Sequence, residues 1–243
     1  MTNTQPAALI VGATGGIGAA VSRTVAAAGY SLSVASRKAS QAESLASELG
    51  ETGATVAPLE ADLTTPDGAS RLVQDHLSHF GRLDLLISTA GTTQRRALAE
   101  VDVDRSRSVI EVNLIGTLAL VSAALPALRE SAASRPGAQV ILVSSIAATS
   151  PVPGFGVYSA TKAAVNSLAQ SVNAEENKNG IRATALCPGF VDSPFTEAID
   201  KQPGEFLPPE DIAEAVAFLL RLSPSARVPS IEIGRINAEV GQP

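Results

Sequence analysis

The chain has 243 residues, of which 45% are hydrophobic and 17% charged, a composition that excludes an intrinsically disordered chain and allows a large buried core. Its formal net charge is −6 and its Lys and Arg residues do not cluster, which excludes the basic surface that nucleic-acid binding requires. The single cysteine, Cys187, excludes an internal disulfide and a cysteine-ligated metal site. We therefore expect a globular protein with no metal and no nucleic-acid partner.

The first residues and the hydrophobic runs bear on where the protein works. Residues 1–6 are polar and lack the basic-then-apolar layout of a signal peptide. No apolar run approaches the ~18 residues that a membrane-spanning helix needs. The sequence predicts a soluble, cytoplasmic protein with no membrane partner.

A glycine-rich turn follows the first predicted strand. Residues 7–11 form a short apolar run that predicts a buried strand, and an alanine-rich helix is predicted over residues 19–28. Between them the glycines follow the spacing Gly12-x3-Gly16-x-Gly18. Strand, glycine-rich turn and helix are typical of a site where backbone N–H groups hold a phosphate, although a purely structural turn has the same composition. The residues expected at such a site are Gly12, Thr14, Gly15, Gly16, Ile17 and Gly18.

The tip of the second predicted strand, residues 32–35, is where a dinucleotide-binding fold contacts the adenosine ribose. A carboxylate there favours NAD, whereas a cation tolerates the 2′-phosphate of NADP. Here Ser36, Arg37 and Lys38 follow the strand; the serine leaves room for a phosphate and the guanidinium can pair with it. We expect NADP(H), with NAD(H) as the alternative and a role as ordinary surface charges also open.

Two further strands end in residues suited to a cofactor. The third is predicted over residues 54–59, and the Asp62 carboxylate beyond it either accepts from the adenine amino group or holds a turn, with Leu63 beside it. The fourth, residues 83–87, runs into Ser88–Thr89–Ala90–Gly91, where the small Ala90 and Gly91 leave space for a cofactor ring.

A helix is predicted after each of the second and third strands, over residues 40–49 and 66–80 respectively. His76 and His79 share a face of the latter, but no third ligand is nearby. Solvated or packed histidines are therefore favoured over a metal site.

The middle of the chain predicts a polar loop over residues 92–104 and a long helix over residues 105–130. Asn113 interrupts an otherwise apolar face of that helix, so its amide needs hydrogen-bond partners. Pro126 lacks the backbone N–H that a helix interior uses, and we expect it to kink or divide the helix.

A tyrosine and a lysine lie four residues apart in the helix predicted over residues 157–178. Positions i and i+4 share a helix face, so Tyr158 and Lys162 present a phenol and a cation to the same space. The cation favours the phenolate, and the pair could exchange protons near neutral pH, although most such pairs are simply solvated. Ser145 follows the strand predicted over residues 138–143, and the loop after it allows Ser145 to reach Tyr158.

The last third of the chain predicts a strand over residues 181–186, a helix over residues 209–222 and a strand over residues 228–233. The irregular stretch 191–207 is expected to be a mobile flap over a pocket. The residues that shape this pocket favour a hydrophobic or mid-sized substrate; they are Val152, Phe155, Phe190, Phe195 and Phe206.

Strand and helix alternate throughout the sequence. This order predicts an α/β fold with one doubly wound parallel sheet of about seven strands and helices on both faces. We expect a single domain over residues 1–243, with the cofactor half at about 1–140 and the catalytic and substrate half at about 141–243. Ligands of such sheets bind at the carboxyl ends of the strands, where the candidate residues fall.

These motifs, in this order, resemble the short-chain dehydrogenase/reductase family along nearly the whole chain. The matching residues are Gly12-x3-Gly16-x-Gly18, Ser88–Thr89–Ala90–Gly91, Asn113 within Val-Asn-Leu-Ile-Gly, Ser145, Tyr158-x3-Lys162 and Pro188–Gly189. The chain departs from the family pattern at Ser88–Thr89, where two asparagines are usual, and at its C-terminus, which lacks the common Thr-Gly and Asp-Gly-Gly ending. The resemblance implies a Rossmann fold and NAD(P)-dependent hydride transfer.

The resemblance also implies a role for each catalytic residue. Tyr158 acts as the general acid/base, Ser145 hydrogen-bonds the carbonyl oxygen, and Lys162 lowers the pKa of Tyr158 and holds the nicotinamide ribose. The Asn113 backbone carbonyl holds a water that connects Lys162 to solvent. The residues implied beside the nicotinamide are Pro188, Gly189, Val191 and Ser193.

The function expected is that of an oxidoreductase that transfers hydride between NADP(H) and a small or mid-sized carbonyl or alcohol. A rival in the same class is 3-oxoacyl-carrier-protein reductase, for which Arg95, Arg96 and Arg129 are candidate contacts with an acidic partner. A rival of another class is a non-catalytic dinucleotide sensor. From the resemblance we expect a homotetramer or a homodimer, formed through the helices that carry Asn113 and Tyr158.

Overall fold

The computed structural model describes residues 5–135, 137–196 and 206–236. Within these ranges seven parallel strands form one sheet in the order β3-β2-β1-β4-β5-β6-β7. The strands are Ala7–Val11 (β1), Ser31–Ser36 (β2), Val56–Glu60 (β3), Leu85–Ser88 (β4), Ala138–Val143 (β5), Ile181–Pro188 (β6) and Ser230–Ile233 (β7). The predicted doubly wound parallel sheet is confirmed.

Helices cover both faces of this sheet. They are Gly16–Ala27 (α1), Ala39–Glu51 (α2), Gly68–Phe80 (α3), Val103–Ile110 (α4), Gly116–Ser134 (α5), Gly156–Glu176 (α6) and Pro209–Arg221 (α7). Side chains of α1, α2 and α7 form the core on one face, and those of α3, α5 and α6 form the core on the other. Strand β1 alternates between them, since Leu9 and Val11 contact one core and Ala8 and Ile10 the other.

The predicted break in the long middle helix lies in a different place from the one expected. Pro126 lies inside α5 and does not divide it, and the irregularity is a π-helical turn at Glu111–Ile115. The carbonyl that loses its partner to Pro126 belongs to Ser122, and both residues are exposed, so water can replace the missing N–H. The expectation that Pro126 divides the helix was wrong, and the disturbance falls at Asn113 instead.

The helical stretch Val103–Ser134 is long and apolar enough to cross a membrane by length and composition alone. No uninterrupted apolar run marks this stretch in the sequence, because its charged and polar residues are spread along it. One face of the stretch packs against the sheet through core residues that include Leu120, Val121, Ala124 and Leu128. This packing is that of a core helix in a folded domain.

Candidate active site

A cleft of about 860 Å³ runs along the carboxyl ends of the strands. Every residue predicted to bind a cofactor lines it, together with Ser145. The predicted cofactor residues found there are Gly12, Thr14, Gly15, Gly16, Ile17, Gly18, Ser36, Arg37, Lys38, Asp62, Leu63, Ala90, Gly91, Tyr158, Lys162, Pro188, Gly189, Val191 and Ser193. The parallel sheet brings them together because each follows a strand that ends at the same edge.

The turn after β1 needs glycine at its first position. Gly12 has a φ of +77°, and a Cβ there would lie 2.7 Å from Thr89 Oγ1 and 2.8 Å from the Ala90 nitrogen. Thr89 Oγ1 donates to the carbonyl oxygens of Gly12 at 2.9 Å and Val11 at 3.1 Å. The departure from the family pattern at Ser88–Thr89 therefore gives a direct hydrogen bond between the end of β4 and the glycine turn.

The amino terminus of α1 is suited to a phosphate. Its N-cap is Gly15, no described side chain caps the helix, and its first turn contains no acidic residue. The first N–H groups of a helix have no partner within the helix, so those of Gly16, Ile17 and Gly18 point toward the cleft edge and favour an anion. A Cβ on Gly16 would lie 2.7 Å from Ser193 Cβ, which shows how closely the loop after β6 approaches this turn. The residues present fit the pyrophosphate of a dinucleotide.

The adenosine end of the cleft is polar and cationic. Thr14 Oγ1 and Ser36 Oγ are 3.0 Å apart, and Gln41 Oε1 accepts from both at 3.4 Å. Arg37 and Lys38 are exposed beside this group. Gln41 was not predicted: it lies near the start of α2 and reaches the cleft only because α2 begins directly after Lys38.

Asp62 holds a turn at the same end of the cleft. Its Oδ1 accepts from the Thr64 nitrogen at 2.9 Å and from Thr64 Oγ1 at 2.7 Å. These hydrogen bonds hold the pKa of the Asp62 carboxyl below its usual range. Of the two expectations for Asp62, the turn is the one these contacts satisfy.

Lys162 is buried, with 4% of its surface exposed. Its Nζ donates to the Val143 carbonyl at 2.8 Å and lies 5.7 Å from the centre of the Tyr158 ring. Burial lowers the pKa of Lys162 to about 8, because removal from water disfavours the ammonium. A Cβ on Gly91 would lie 3.4 Å from Nζ, so a glycine there keeps the space above the lysine open.

The pKa of Tyr158 moves in the direction opposite to the one expected from its lysine neighbour. The rings of Phe155 and Phe195 lie 6.2 and 6.0 Å from the Tyr158 ring and shield it from water. Burial raises the pKa of Tyr158 to about 12, and a hydrogen bond from Ser145 only partly opposes this. The expectation of a lowered pKa was therefore wrong for the protein alone, because burial dominates and the Lys162 ammonium donates to Val143 rather than to the phenol.

Ser145 is fixed at the end of β5. Its Oγ accepts from the Ala147 nitrogen at 3.1 Å and donates to the Pro188 carbonyl at 3.4 Å. The preceding residue, Ser144, donates through Oγ to the Lys162 carbonyl at 2.9 Å, which ties β5 to α6. These contacts place the Ser145 hydroxyl and the Tyr158 phenol at the same part of the cleft.

Asn113 is fully buried in the π-helical turn behind the cleft. Its Nδ2 donates to the Thr92 carbonyl at 2.9 Å and to Thr161 Oγ1 at 3.0 Å, and its Oδ1 accepts from the Thr92 nitrogen at 2.7 Å. The amide therefore has the partners that its burial demands, and it joins the loop after β4 to α6. Asn113 does not itself line the cleft, although the adjacent Val112 does.

Aromatic side chains surround the part of the cleft beside Tyr158, which we call the aromatic chamber. Val152, Phe155, Phe190 and Phe195 line it, and Phe206 packs on Phe190 with ring centres 5.6 Å apart. The predicted flap, 191–207, falls partly outside the described residues, since the structure does not describe 197–205.

The two histidines of α3 take different environments. His76 is fully buried; its Nε2 donates to the Arg82 carbonyl at 2.9 Å and its Nδ1 accepts from Ser33 at 2.8 Å. His79 is exposed. Among the described residues no group of three or more His, Cys, Asp or Glu is arranged to hold a metal.

Over residues 6–204 the sequence matches the family described as short chain dehydrogenase. Since this match covers most of the chain, the protein belongs to the short-chain dehydrogenase family. Its fold, its glycine-rich turn and the grouping of Ser145, Tyr158 and Lys162 agree with that membership.

Particular relatives are similar along nearly their full length. An uncharacterized oxidoreductase of Staphylococcus aureus is 33% identical over 217 residues, which is 89% of this chain and 91% of the relative. Among solved structures, an alcohol dehydrogenase from the archaeon Thermococcus sibiricus, complexed with 5-hydroxy-NADP, has a TM-score of 0.89 and 30% identity, covering 97% of this chain and 98% of the other. A 3-ketoacyl-(acyl-carrier-protein) reductase from Brucella melitensis, complexed with NADH, has a TM-score of 0.85 and 26% identity, with coverages of 95% and 97%. The protein is therefore an oxidoreductase of this family, and these two solved neighbours contain nicotinamide dinucleotides.

Proposed function

We propose that the protein interconverts a small or mid-sized carbonyl compound and its alcohol, with NADP(H) as the preferred cofactor. The observation that carries this is the position of Ser145, Tyr158 and Lys162, which meet between an anion-binding glycine turn and the aromatic chamber. The glycine turn suits the pyrophosphate, and the chamber suits an apolar substrate body.

The nicotinamide, when bound, supplies a hydride to the carbonyl carbon. The Tyr158 hydroxyl donates its proton to the carbonyl oxygen, so that the hydride and the proton together convert the carbonyl to an alcohol. With a pKa of about 12 in the protein alone, Tyr158 keeps its proton at neutral pH, which is the form that reduction needs. The Ser145 hydroxyl donates to the same oxygen and stabilises the charge that develops on it.

Lys162 supports this proton transfer through its positive charge, which lies 5.7 Å from the centre of the Tyr158 ring. With a pKa of about 8, the Lys162 amine is mostly protonated at neutral pH. Its positive charge therefore lies near Tyr158 when the phenol gives up its proton. We assign the nicotinamide ribose hydroxyls to Lys162 and the water that restores the proton to the backbone carbonyl of Asn113. The open space at Gly91 beside Nζ supports the first assignment.

The preference for NADP(H) rests on the adenosine end. Arg37 and Lys38 follow β2 where a carboxylate would favour NAD, and Ser36 and Thr14 offer hydroxyls beside them. In the described part of the chain neither cation takes part in an ion pair. Both are therefore available to a 2′-phosphate.

A homotetramer or homodimer is the proposed assembly, in the cytoplasm. Ile115 in the π-helical turn and Leu118 at the start of α5 are 43% and 47% exposed. The π-helical turn packs against α6. Large apolar side chains exposed together are typical of an interface. Light scattering coupled to size-exclusion chromatography of the unmodified protein and of Leu118→Glu should show an oligomer and its dissociation.

The carrier-protein alternative receives less support from the structure than from the sequence. Arg129, one of its three candidate contacts, donates through Nε to Glu176 Oε2 at 2.8 Å and is occupied by that ion pair. The same hydrogen bond raises the pKa of Arg129. The other two candidate contacts, Arg95 and Arg96, form no ion pair with a described residue. We therefore favour a small free substrate.

The test is an activity screen of the unmodified protein. Absorbance of the reduced nicotinamide would be followed with NADPH and with NADH against aldehydes, ketones and a 3-oxoacyl thioester. We expect turnover of apolar carbonyls with NADPH. Preferred turnover of the thioester would instead support the carrier-protein reductase, and cofactor binding without any turnover would support the sensor.

A further inference from the structure

The substrate end of the cleft has two chemically different sides. The aromatic chamber forms one side. The loop after β4 forms the other, and three of its residues, Thr92, Thr93 and Arg95, line the cleft there. The loop therefore adds polar and charged groups to a space that is otherwise apolar.

The chain holds Arg95 beside the chamber. The Arg96 nitrogen donates to the Gly154 carbonyl at 2.8 Å, which fixes the loop after β4 against the loop before α6. Gly154 has a φ of +84°, and a Cβ there would lie 3.4 Å from Arg95 Cγ. The Arg95 guanidinium carbon lies 5.9 Å from the centre of the Phe155 ring, whose own centre is 6.2 Å from that of Tyr158. The Phe155 ring is therefore a neighbour of both the Arg95 cation and the Tyr158 ring.

The charge of Arg95 is not balanced by a described residue. Among the described residues four cations line the cleft: Arg37 and Lys38 lie at the adenosine end, Lys162 is buried against Val143, and Arg95 is the fourth. The ion pairs among described residues do not include Arg95. The acidic lining residue, Asp62, lies at the adenosine end. An exposed guanidinium over an aromatic face is a ready partner for a carboxylate.

Thr93 adds a second polar group to the same side. Its Oγ1 is buried and has no hydrogen-bond partner among the described residues. A buried hydroxyl without a partner is unfavourable, and a ligand oxygen placed in the cleft would satisfy it.

We propose that the substrate is an aromatic carbonyl compound that carries a carboxylate about one ring away from its reacting carbonyl. This rests on the proposed function, since the carbonyl must lie at Tyr158 and Ser145. The Phe155, Phe190 and Phe195 side chains contact the aromatic body, the Arg95 guanidinium binds the carboxylate, and the Thr93 hydroxyl donates to a carboxylate oxygen. Arg95 thereby selects the substrate without taking part in the proton transfer.

The experiment compares three aldehydes that differ only in the group opposite the carbonyl: 4-formylbenzoate, its methyl ester and 4-formyl-N,N,N-trimethylanilinium. The unmodified protein should give the highest kcat/KM with the carboxylate and the lowest with the cation. In Arg95→Gln, kcat/KM for 4-formylbenzoate should fall about 10- to 100-fold, mainly through KM, because a charge-assisted hydrogen bond is lost. The ester should change less than about threefold.

Two further variants separate Arg95 from general effects of charge or folding. Arg96→Gln removes the neighbouring cation, whose side chain does not line the cleft, and should leave the ratio of carboxylate to ester unchanged. Thr93→Val keeps the size of the side chain and should raise KM for the carboxylate about threefold.

Binding distinguishes a failure of this inference from a failure of the proposed function. Titration calorimetry would measure binding of 4-formylbenzoate and its ester to the protein without turnover. If no aldehyde is reduced but Arg95→Gln still weakens binding of the carboxylate alone, the proposed reaction fails and the anion site stands. Equal binding or turnover of carboxylate and ester by the unmodified protein, or an equal loss for both in Arg95→Gln, would overturn the inference.

Discussion

The phosphate and adenosine end of the cleft is lined by main-chain groups, short polar side chains and the cations Arg37 and Lys38, whereas the substrate end is lined by aromatic rings and an arginine. Gly12 and Gly16 are confined by neighbouring backbone and side-chain atoms, and their N–H groups keep the positions that the sheet gives them. Phe155, Phe190 and Phe195 lie on loops and contact mainly one another and Tyr158. The glycine turn therefore has little room for substitution, while the substrate end can change its specificity by side-chain replacement without disturbing the fold.

The largest effect is expected between the two ends, at the proton donor. Tyr158→Phe removes the hydroxyl and should lower kcat by about 10²- to 10⁴-fold, because a general acid contributes that much to proton transfer. Affinity for NADPH should change less than about twofold, since the ring stays in place. Tyr30→Phe alters the other tyrosine of the chain and serves as the control. A Tyr158→Phe protein with full turnover would remove Tyr158 from the mechanism.

The folding stability of the part of the molecule around His76, next to strand β2, should decrease in acid. Burial lowers the pKa of His76 from 6.5 to about 4, so the unfolded chain binds a proton between these values while the folded one does not. The stability from neutral His76 is complete above pH 6.5 and is lost as the pH falls toward 4. The loss amounts to about 3 kcal/mol for this one group.

Urea denaturation between pH 7 and pH 4 would measure this effect. His76→Gln retains hydrogen-bonding groups but cannot titrate, so its free energy of unfolding should depend less on pH in that interval. His79→Gln, at an exposed position of the same helix, should keep the dependence of the unmodified protein. An unchanged slope in His76→Gln would assign the acid sensitivity to other groups.

The next largest effect is on cofactor affinity, at the close contact between the glycine turn and the loop after β6. Gly16→Ala places a methyl group 2.7 Å from Ser193 Cβ, and the cofactor should bind about tenfold more weakly because the turn or the loop must move. Replacing Ser193 with glycine in the same protein should restore part of the affinity. Gly50→Ala, where a Cβ meets no atom within 4 Å, is the matched control. Unaltered NADPH affinity in Gly16→Ala would show that this contact does not shape the phosphate site.

An effect of similar size is expected on cofactor choice at the adenosine end. Arg37→Ala should lower the ratio of NADPH to NADH affinity by about tenfold, since one charge-assisted contact with the 2′-phosphate is lost. Titration with both cofactors measures the ratio directly. Arg23→Ala removes an exposed arginine that pairs with Glu48 outside the cleft and should leave it unchanged. Equal affinities in the unmodified protein would reject the preference for NADP(H).

The sequence was sufficient to predict the sheet and the cofactor-binding residues that line the cleft. Apolar runs of strand length, each followed by glycine or a small polar residue, predict parallel strands whose ends meet, and the structure places Gly12, Ser36, Gly91, Ser145 and Pro188 at that edge. Element bounds differ from those predicted by only a few residues, mostly at helix ends. Local pattern suffices here because the fold requires these residues wherever it occurs.

Features that depend on contacts between distant segments could not be predicted. Arg95 and Thr93 reach the cleft because their loop is hydrogen-bonded to Gly154, about sixty residues further along the chain. Burial of the Tyr158 phenol under Phe155 and Phe195 reverses the expected shift in its pKa, and the Lys162 ammonium donates to Val143 rather than to the phenol. The π-helical turn at Glu111–Ile115 likewise has no local sequence signal comparable to Pro126.

The order of strands has a consequence for how the chain is completed during synthesis. Once β1, β2 and β3 are formed, every later strand adds at one side only: β4 beside β1, then β5, β6 and β7 in the order of translation. Until the last strand emerges, each intermediate exposes the edge of a fully buried strand such as β4 or β5, which another nascent chain could pair with. Strand β7 ends this exposure, since it has only four residues and points Ser230 and Glu232 to solvent. A ribosome-bound chain that ends before β7 should therefore need a chaperone that the finished protein does not.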